Sequence, residues 1–511
     1  MRLRTKLIGF AALLLFAAWP ASAHVGSPDV FYEGKAGPYP LFVTVRVPQV
    51  IPGVAEIEIR SESKDVRAIR VVPMRLAGPG SNLPPTPDLA TQSKDDPQFF
   101  TASLWLMESG ALQVRVQADG AQGQGEVSVP VPSFAQRILP MQKSLGVLLL
   151  GLTLLLSVGA VFMVGAIVRE GNLEGGEVPS EARNRRARRV MAIAAVVVAA
   201  LLFLGRAWWR ADASDFQRRV DYFKPPAAAL NLVDGHRLEI RVARSDRQVA
   251  RPDFRSAGYL RLDEVIPDHG HLMHLFLIRE PNLDAMWHLH PEQAGDAFAV
   301  DLPDIPVGRY QIFADVVDPR GYPWTLVGTT DLPKISGKAL AGDDSMWSGT
   351  GLAGPPAEQS ASWPLADGGR IVWQRPSGPL KAGVPVEFTF DVQDQDGQPV
   401  KDMEPYMGMA GHAEFVRSDF SVFAHVHPAG SVSMASLELA AAGMADGGDP
   451  AQPAMPMPSG TSMPMPMADS GPLPPEVRFP YGFPRAGGYR IFVQVKRAGR
   501  IETGVFDAHV E

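Results

Sequence analysis

Residues 308–316 read Gly-Arg-Tyr-Gln-Ile-Phe-Ala-Asp-Val, and residues 487–495 repeat this stretch as Gly-Gly-Tyr-Arg-Ile-Phe-Val-Gln-Val. Each stretch is rich in β-branched and aromatic residues and begins with glycine, which predicts a β-strand. The repetition indicates that residues 225–335 and 365–511 are two copies of one β-rich unit, formed by internal duplication.

A further β-rich region is predicted at residues 24–135. Apolar and polar residues alternate in Leu41–Val47 and Ala55–Arg60, the period expected of half-buried strands. Short strands at regular spacing with glycine and proline turns favour a β-sandwich. Residues 336–364 are rich in Gly, Ala, Ser and Pro and are interpreted as a linker. We therefore expect a mainly β protein with three sandwich domains.

The duplicated units carry eight of the eleven histidines. The first copy of the pattern is His269-Gly-His271-Leu-Met-His274, then a strand-like run, then His288-Leu-His290-Pro. The second copy is Met407-Gly-Met409-Ala-Gly-His412, a similar run, then His425-Val-His427-Pro. Imidazoles and thioethers are both transition-metal ligands, so the pattern indicates metal handling. The predicted ligands are His269, His271, His274, His288, His290, Met407, Met409, His412, His425 and His427.

A hairpin in each unit would bring its histidines together. Residues i and i+2 of a strand share one face, with Cα atoms about 6.6 Å apart. In the third domain a turn at residues 418–421 would set His412 opposite His427, and in the second a turn centred near Asn282 would set His274 opposite His290. Cross-strand partners lie about 5.5 Å apart at Cβ. The expected clusters are His274/His288/His290 and His412/His425/His427. The alternative is a set of incidental histidines copied by the duplication.

The two copies differ in the pair of residues upstream of each hairpin. Imidazoles at 269 and 271 correspond to thioethers at 407 and 409. Five histidines suit Cu(II), and also zinc, whereas a His/Met mixture favours Cu(I). The resulting hypothesis is that the second domain prefers Cu(II) and the third prefers Cu(I). Equal preference in both domains would contradict it.

The composition excludes several kinds of chemistry. The chain has no cysteine, which removes disulfides, thiolate metal sites and cysteine nucleophiles. It also argues against a copper oxidase with a type-1 Cys-His centre. The net charge of -7 gives no indication of a nucleic-acid partner. No nucleophile elbow, phosphate loop or His-Glu-x-x-His helix is found, so an enzyme is not indicated.

The N-terminus predicts an export signal over residues 1–23. Arg2, Arg4 and Lys6 precede an apolar stretch, and Ala-Ser-Ala at 21–23 is a small-residue cleavage site. Cleavage there would leave His24 as the first residue, and its amino group and imidazole could chelate copper. That arrangement would suit a copper-dependent lyase, although residues 25–235 contain no partner histidine.

Two apolar segments predict transmembrane helices at residues 144–168 and 190–209, between the first and second sandwich domains. The first has no charge between Leu145 and Val168, and the second is extended to the interface by Arg206 and Trp208. The alternative is a buried helix of a soluble protein. The connecting loop, 169–189, carries six arginines against four glutamates, and short basic loops stay cytoplasmic. We expect the cytoplasmic (inner) membrane, with the soluble domains facing the periplasm or the cell exterior.

The third domain contains a Met-rich insertion at residues 430–475. Its thioethers could recruit Cu(I), or it could be a compositionally biased linker. The lower-ranked ligand candidates in this insertion are Met455, Met457, Met463, Met465 and Met467.

The segments Trp287-His-Leu-His-Pro and Ala424-His-Val-His-Pro resemble those of exported bacterial proteins with FixH/YtkA-like immunoglobulin-like domains. The resemblance covers the two duplicated units. It implies immunoglobulin-like sandwiches and a loose link to copper handling. His24 is also similar, more weakly, to the N-terminal histidine of CopC-type periplasmic copper-resistance proteins.

The leading hypothesis is a membrane-anchored periplasmic protein that binds copper, as Cu(II), Cu(I) or both, for resistance, storage or delivery. Its expected partners are the lipid bilayer and a copper exporter, chaperone or oxidase. The alternative is a structural or interaction scaffold of a membrane complex, without a functional metal.

Overall fold

The structure is a computed structural model that describes residues 26–243, 260–352, 360–445 and 473–511. It is mainly β, as predicted, with antiparallel sheets in three sandwich domains and two long helices between the first and second. The candidates His24, Met455, Met457, Met463, Met465 and Met467 lie outside the described residues.

The first sandwich packs a sheet ordered β1-β2-β3-β7-β6 against one ordered β5-β4-β8-β9. Strand β3 buries every second residue, including Ala55, Ile57 and Ile59, which is the alternation seen in its sequence. The strands are β1 (Val30–Ala36), β2 (Tyr39–Arg46), β3 (Gly53–Ser61), β4 (Val66–Arg75), β5 (Asp88–Leu89), β6 (Thr91–Gln92), β7 (Phe99–Leu106), β8 (Gly110–Gly120) and β9 (Gly123–Ser133).

Two helices follow: α1 (Lys143–Glu170) and α2 (Glu181–Tyr222). Ser180 caps α2 by accepting a hydrogen bond from the backbone N–H of Arg183 at 3.3 Å. Both helices are long and apolar enough to cross a membrane, and none of their most apolar windows is buried. At about 1.5 Å per residue, α2 is about 63 Å long, so it extends well beyond the predicted span 190–209.

The second domain packs a sheet ordered β10-β11-β15-β14 with one ordered β17-β16-β12-β13-β18. Its strands are β10 (Ala228–Val233), β11 (Arg237–Val242), β12 (His274–Arg279), β13 (Ala285–Leu289), β14 (Glu292–Ala294), β15 (Ala297–Asp301), β16 (Gly308–Val317), β17 (Pro323–Leu332) and β18 (Ser345–Ser348). Residues 336–364 are therefore not wholly a linker, because β18 pairs with β13.

The third domain packs a sheet ordered β19-β20-β21-β25 with one in which β22, β26, β23 and β24 follow in order and β27 pairs β26. Its elements are β19 (Ser362–Pro364), β20 (Arg370–Gln374), β21 (Pro385–Gln393), β22 (Met403–Glu404), β23 (His412–Arg417), β24 (Phe423–Val426), α3 (Met434–Ala445), β25 (Glu476–Gly482), β26 (Gly487–Arg497) and β27 (Arg500–Val510). Helix α3 occupies the first part of the Met-rich insertion.

The duplication is visible in the sheets. The order β17-β16-β12-β13 in the second domain matches β27-β26-β23-β24 in the third. These two sheets share one apolar core, in which Phe313 of the second domain stacks on Phe423 of the third with ring centroids 4.2 Å apart. Both faces of the paired sheets are thereby buried, which explains why β12 and β23 bury five of their six residues.

Candidate metal centre

The hairpins that carry the histidines have the predicted register. Leu275 pairs with Leu289, which sets His274 opposite His290 one step further along the ladder. Ala413 pairs with Val426, which sets His412 opposite His427 in the same way. The register prediction is confirmed, and in each hairpin the three imidazoles share the face turned towards the other domain.

A tight turn precedes each hairpin and has the same conformation in both domains. Asp268 and His271 exchange backbone hydrogen bonds of 2.8 and 3.0 Å around His269 and Gly270, whose φ angles are +52° and +84°. Tyr406 and Met409 do so at 2.8 and 3.1 Å around Met407 and Gly408, whose φ angles are +49° and +81°. Positive φ at both central residues is the geometry of a type I′ turn, and it favours glycine at the second position.

The hairpins and turns assemble two groups of candidate metal ligands, each with nitrogen atoms all within 4.8 Å of one another. One group is His274, His288 and His290, all from the second domain. The other is His269, His412 and His427, and so combines one residue of the second domain with two of the third. The expectation that His269 serves its own hairpin is wrong in this respect, because its Nε2 lies 3.1 Å from Nε2 of His427.

The hydrogen bonds of the first group leave two lone pairs facing each other. His274 Nε2 donates to the carbonyl oxygen of Asp268 at 3.0 Å, so the lone pair of the neutral ring is on Nδ1. His288 Nδ1 donates to Oε1 of Gln494 at 3.0 Å, and that amide is oriented by its own donation to Ser345 Oγ at 2.6 Å. The lone pair of His288 is therefore on Nε2, only 3.3 Å from Nδ1 of His274.

In the second group, a hydrogen bond sets the tautomer of His427. His427 Nδ1 donates to the carbonyl oxygen of Val432 at 3.0 Å, which leaves the lone pair on Nε2 towards His269. Two nitrogens bound at about 2.0 Å to one ion with tetrahedral angles would be about 3.3 Å apart. The separations of 3.3 Å and 3.1 Å match this value, so both groups could hold a metal ion.

The partners on the outer nitrogens are those that metal-bound imidazoles usually have. His290 Nδ1 donates to the carboxylate of Asp344 at 3.0 Å, which leaves Nε2 without a partner among the described residues. His425 Nδ1 lies 3.6 Å from the carboxylate of Asp315, and its Nε2 likewise has no partner there. His412 has none on either ring nitrogen.

His425 and His271 complete the set of eight. The His425 ring lies between the two groups, with its centroid 4.6 Å from that of His427 and 5.6 Å from that of His288. His271 lies at the more exposed rim, stacked on His290 at 3.8 Å. Of the two methionines in the other turn, Met407 is buried and Met409 is partly exposed.

Burial keeps the imidazoles neutral. Desolvation lowers the pKa of His427 to about 3 and holds the pKa values of His269, His288, His412 and His425 well below the usual range. Repulsion between neighbouring imidazolium charges adds to this effect. Neutral imidazole is the form that binds metals, so the cluster is ready for metal at neutral pH.

Two buried carboxyl groups also lie at the cluster. Glu414 has neither oxygen paired among the described residues, and burial raises its pKa well above the usual range. Burial raises the pKa of Asp315 to about 7. Each is the single acidic residue of its strand, next to buried apolar residues, and that interruption is a sequence signal for a functional position.

Asp343 and Asp344 lie in the segment 336–364 that the sequence predicts to be a linker, but the structure places both beside the histidines. Asp344 accepts hydrogen bonds from both the backbone and the ring of His290. Asp343 lies 3.4 Å from Nε2 of His271, and its carbonyl oxygen accepts a hydrogen bond from Tyr406. Asp268, Tyr406 and Gln494 also contact the imidazoles.

Comparison with known proteins identifies one family model, a domain of unknown function (DUF8832), which matches residues 365–511. No curated protein matches the chain. Among solved structures, the chain is similar to a tetra-tandem repeat from the extending region of a large adhesion protein, at 8% identity and a TM-score of 0.15, covering 92% of this chain and 74% of that one. Escherichia coli alpha-2-macroglobulin activated by porcine elastase gives 10% identity and a TM-score of 0.17, over 94% of this chain and 31% of that one.

Proposed function

We propose that this chain is a membrane-anchored copper-binding protein that works outside the cytoplasm in copper resistance, storage or delivery. The observation that carries the proposal is the convergence of eight histidines on the interface between two domains. The lone pairs of His274 Nδ1 and His288 Nε2 face each other at 3.3 Å, and Nε2 of His269 lies 3.1 Å from Nε2 of His427. Two unprotonated nitrogens such as those of His274 and His288 repel each other unless a cation lies between them.

Copper is favoured over other metals by the available donors. The chain contains no cysteine, so its only soft ligands are methionine thioethers, two of which lie in the Met407–Met409 segment beside the cluster. Imidazole suits Cu(II) and zinc alike, and thioether suits Cu(I). Zinc is therefore the main competitor at the positions that are purely imidazole.

A role in binding rather than catalysis is supported by the burial of the ligands. His288 and His412 have no exposed surface and His274 is 1% exposed. Catalytic metal sites usually keep one position open to water or substrate, whereas closed sites are structural. A closed site with imidazoles that are already neutral suits storage, or delivery to a copper exporter, chaperone or oxidase.

Helices α1 and α2 and the segment that connects them support the proposed location. Both helices are apolar enough to span a bilayer. Residues 169–189, between the two apolar spans, are rich in arginine, and most of these arginines lie in the first turns of α2. An arginine-rich segment between two spans favours a cytoplasmic position. This topology, together with the predicted export signal, would place all three sandwich domains in the periplasm or at the cell exterior.

The scaffold alternative has one observation in its favour. Phe276, Phe313, Phe423 and Phe492 form an apolar core between the second and third domains, so the interface could be stable without metal. In that case the histidines would be a by-product of the duplication.

Metal analysis of the full chain in detergent separates the two proposals. We expect stoichiometric copper after loading and dialysis, with a nitrogen hyperfine pattern in the Cu(II) EPR spectrum. A His274→Asn/His412→Asn double variant should lose both signals, and a His236→Asn/His509→Asn variant, changed at two exposed histidines away from the cluster, should keep them. Wild-type protein without stoichiometric metal would favour the scaffold.

A further inference from the structure

The histidine hairpins of the second and third domains have closely similar internal geometry. Within the hairpins, the ring centroids of His274 and His288 are 5.5 Å apart, and those of the equivalent His412 and His425 are 5.4 Å apart. The other two pairs agree in the same way. His274–His290 and His412–His427 measure 5.0 and 5.2 Å, and His288–His290 and His425–His427 measure 4.7 and 4.6 Å.

One pair of contacts between the domains is reciprocal, as expected for two hairpins that face each other about a two-fold. His288 of the second domain meets Gln494 on β26, and the equivalent His425 of the third meets Asp315, the residue of β16 that corresponds to Gln494. His288 and His425, which would exchange places under the two-fold, lie 5.6 Å from each other. This reciprocal contact indicates an approximate two-fold relation between the two hairpins.

The turn residue His269 crosses from its own domain to the other. Its ring lies 4.5 Å from that of His427 and 5.3 Å from that of His412, both in the third domain. The residue equivalent to His269 is Met407, which has the same turn geometry and is buried. The equivalents of His427 and His412 are His290 and His274.

The turn that holds Met407 likewise contacts the other domain. The hydroxyl of its neighbour Tyr406 lies 3.4 Å from Nδ1 of His288 and donates to the carbonyl oxygen of Asp343 at 2.9 Å. Both partners belong to the second-domain side of the cluster. This contact anchors the Met407 turn against the His274/His288/His290 group.

We propose that the two domains exchange metal ligands: each domain supplies one ligand to the site on the hairpin of the other. This exchange rests on the proposed copper function. His269 completes an all-imidazole site on the hairpin of the third domain, with His412, His425 and His427. Met407 supplies a thioether to the site on the hairpin of the second domain, with His274, His288 and His290. The site that prefers Cu(I) is then on the hairpin of the second domain. This reverses the hypothesis from the sequence, in which the third domain prefers Cu(I).

The exchange also implies that metal binding stabilises the interface between the two domains. Each ion would be held by residues from both domains, so that each ion clamps the two sandwiches together. Losing either metal would weaken the interface between the domains, because ligand binding to the assembled form stabilises it by mass action.

A double-mutant cycle on the full chain tests the exchange. Met407→Leu keeps the volume and removes the sulfur, and Met107→Leu, at an exposed methionine of the first domain, is the control. We expect Met407→Leu to lower Cu(I) affinity by roughly tenfold or more and to reduce the Cu–S signal in X-ray absorption at one equivalent of Cu(I). Met107→Leu should do neither.

The histidine to which the effect of Met407 is coupled identifies the site that receives the thioether. The effect of Met407→Leu on Cu(I) affinity should disappear in a His290→Gln background and persist in a His427→Gln background. The opposite pattern, or additivity in both backgrounds, would overturn the exchange while leaving copper binding intact. Wild-type protein that binds no copper would instead refute the proposed function. Circular dichroism and unchanged Cu(II) binding by the Met407→Leu variant would show that it is folded.

Discussion

His288 in the second domain donates a hydrogen bond of 3.0 Å to Gln494 in the third. The pair is the counterpart of His425 and Asp315, which are 3.6 Å apart in the opposite direction across the interface. Because Ser345 orients the Gln494 amide, this chain of hydrogen bonds selects the tautomer of His288 whose free lone pair faces His274. The third domain thus determines which nitrogen of a second-domain histidine can bind metal.

Replacing Gln494 should therefore weaken metal binding without removing any ligand. Gln494→Leu removes the acceptor for His288 Nδ1, and the imidazole loses its orientation. We expect a fall in copper affinity of about 10- to 100-fold, measured by competition with a chelator. Gln113→Leu is a matched control, because Gln113 is a buried glutamine of the first domain that donates to the carbonyl oxygen of Arg75. Equal affinities for the two variants would contradict this role of Gln494.

Glu414→Gln should stabilise the metal-free protein at neutral pH. The folded-state pKa of Glu414 is raised by burial, so the unfolded chain releases a proton that the folded chain retains. Stability is lost as the pH rises above about 4.5 towards the folded-state pKa, at about 1.4 kcal/mol per pH unit. The variant avoids this loss, and we expect a gain on the order of 2 kcal/mol at pH 7 and none near pH 4.

Guanidinium unfolding of the full chain in detergent at both pH values measures this gain. The control is Glu56→Gln, at an exposed glutamate of β3, which should change stability little at either pH. A loss of stability in Glu414→Gln at pH 7 would show that the ionised carboxylate is needed in the metal-free state.

The metal-free protein should unfold readily in mild acid. Burial lowers the pKa of seven histidines in the cluster, namely His269, His274, His288, His290, His412, His425 and His427. An unfolded chain binds these protons below about pH 6.5, and the folded chain does not. Stability is thus fully present above pH 6.5 and falls as the pH drops towards the folded-state pKa values.

Thermal unfolding of the metal-free chain between pH 7.5 and 4.5 checks this dependence. We expect the midpoint to fall steeply below pH 6.5. A His274→Asn/His412→Asn variant should show a shallower fall, because two of the contributing groups are gone. A midpoint independent of pH over this range would mean that the imidazoles are solvated in the metal-free protein.

The register of both hairpins could be predicted because strand alternation and turn position are local properties. The histidines of one hairpin had to share a face once the turn centres at Asn282 and residues 418–421 were inferred. The duplication, read from the 308–316 and 487–495 strands, likewise predicted two equivalent sheets.

The crossing of His269 could not be predicted, because it depends on how two folded domains pack. From the sequence of one hairpin, every ligand is assigned to its own repeat. The sequence assigns Asp344 to a linker for a similar reason, since β18 follows it directly and pairs with β13 only in the folded domain. Glu414 and Asp315 did carry a signal, each as the single acidic residue of its strand, next to buried apolar residues.

The buried ion pair of Arg490 and Asp507 should stabilise the interface independently of metal. Arg490 donates to both carboxylate oxygens of Asp507, at 2.7 and 2.8 Å, and also to the carbonyl oxygens of Leu283 and Thr350 at 2.8 Å. Arg490→Met would leave a buried carboxylate without this partner, which we expect to cost about 3–5 kcal/mol of stability. Arg279→Met, which breaks the more exposed pair with Asp284, should cost about 1 kcal/mol or less. Chemical unfolding of both variants, with and without copper, measures the difference. If the interface were held chiefly by metal, the loss in Arg490→Met would disappear on copper loading, whereas we expect the same loss in both states.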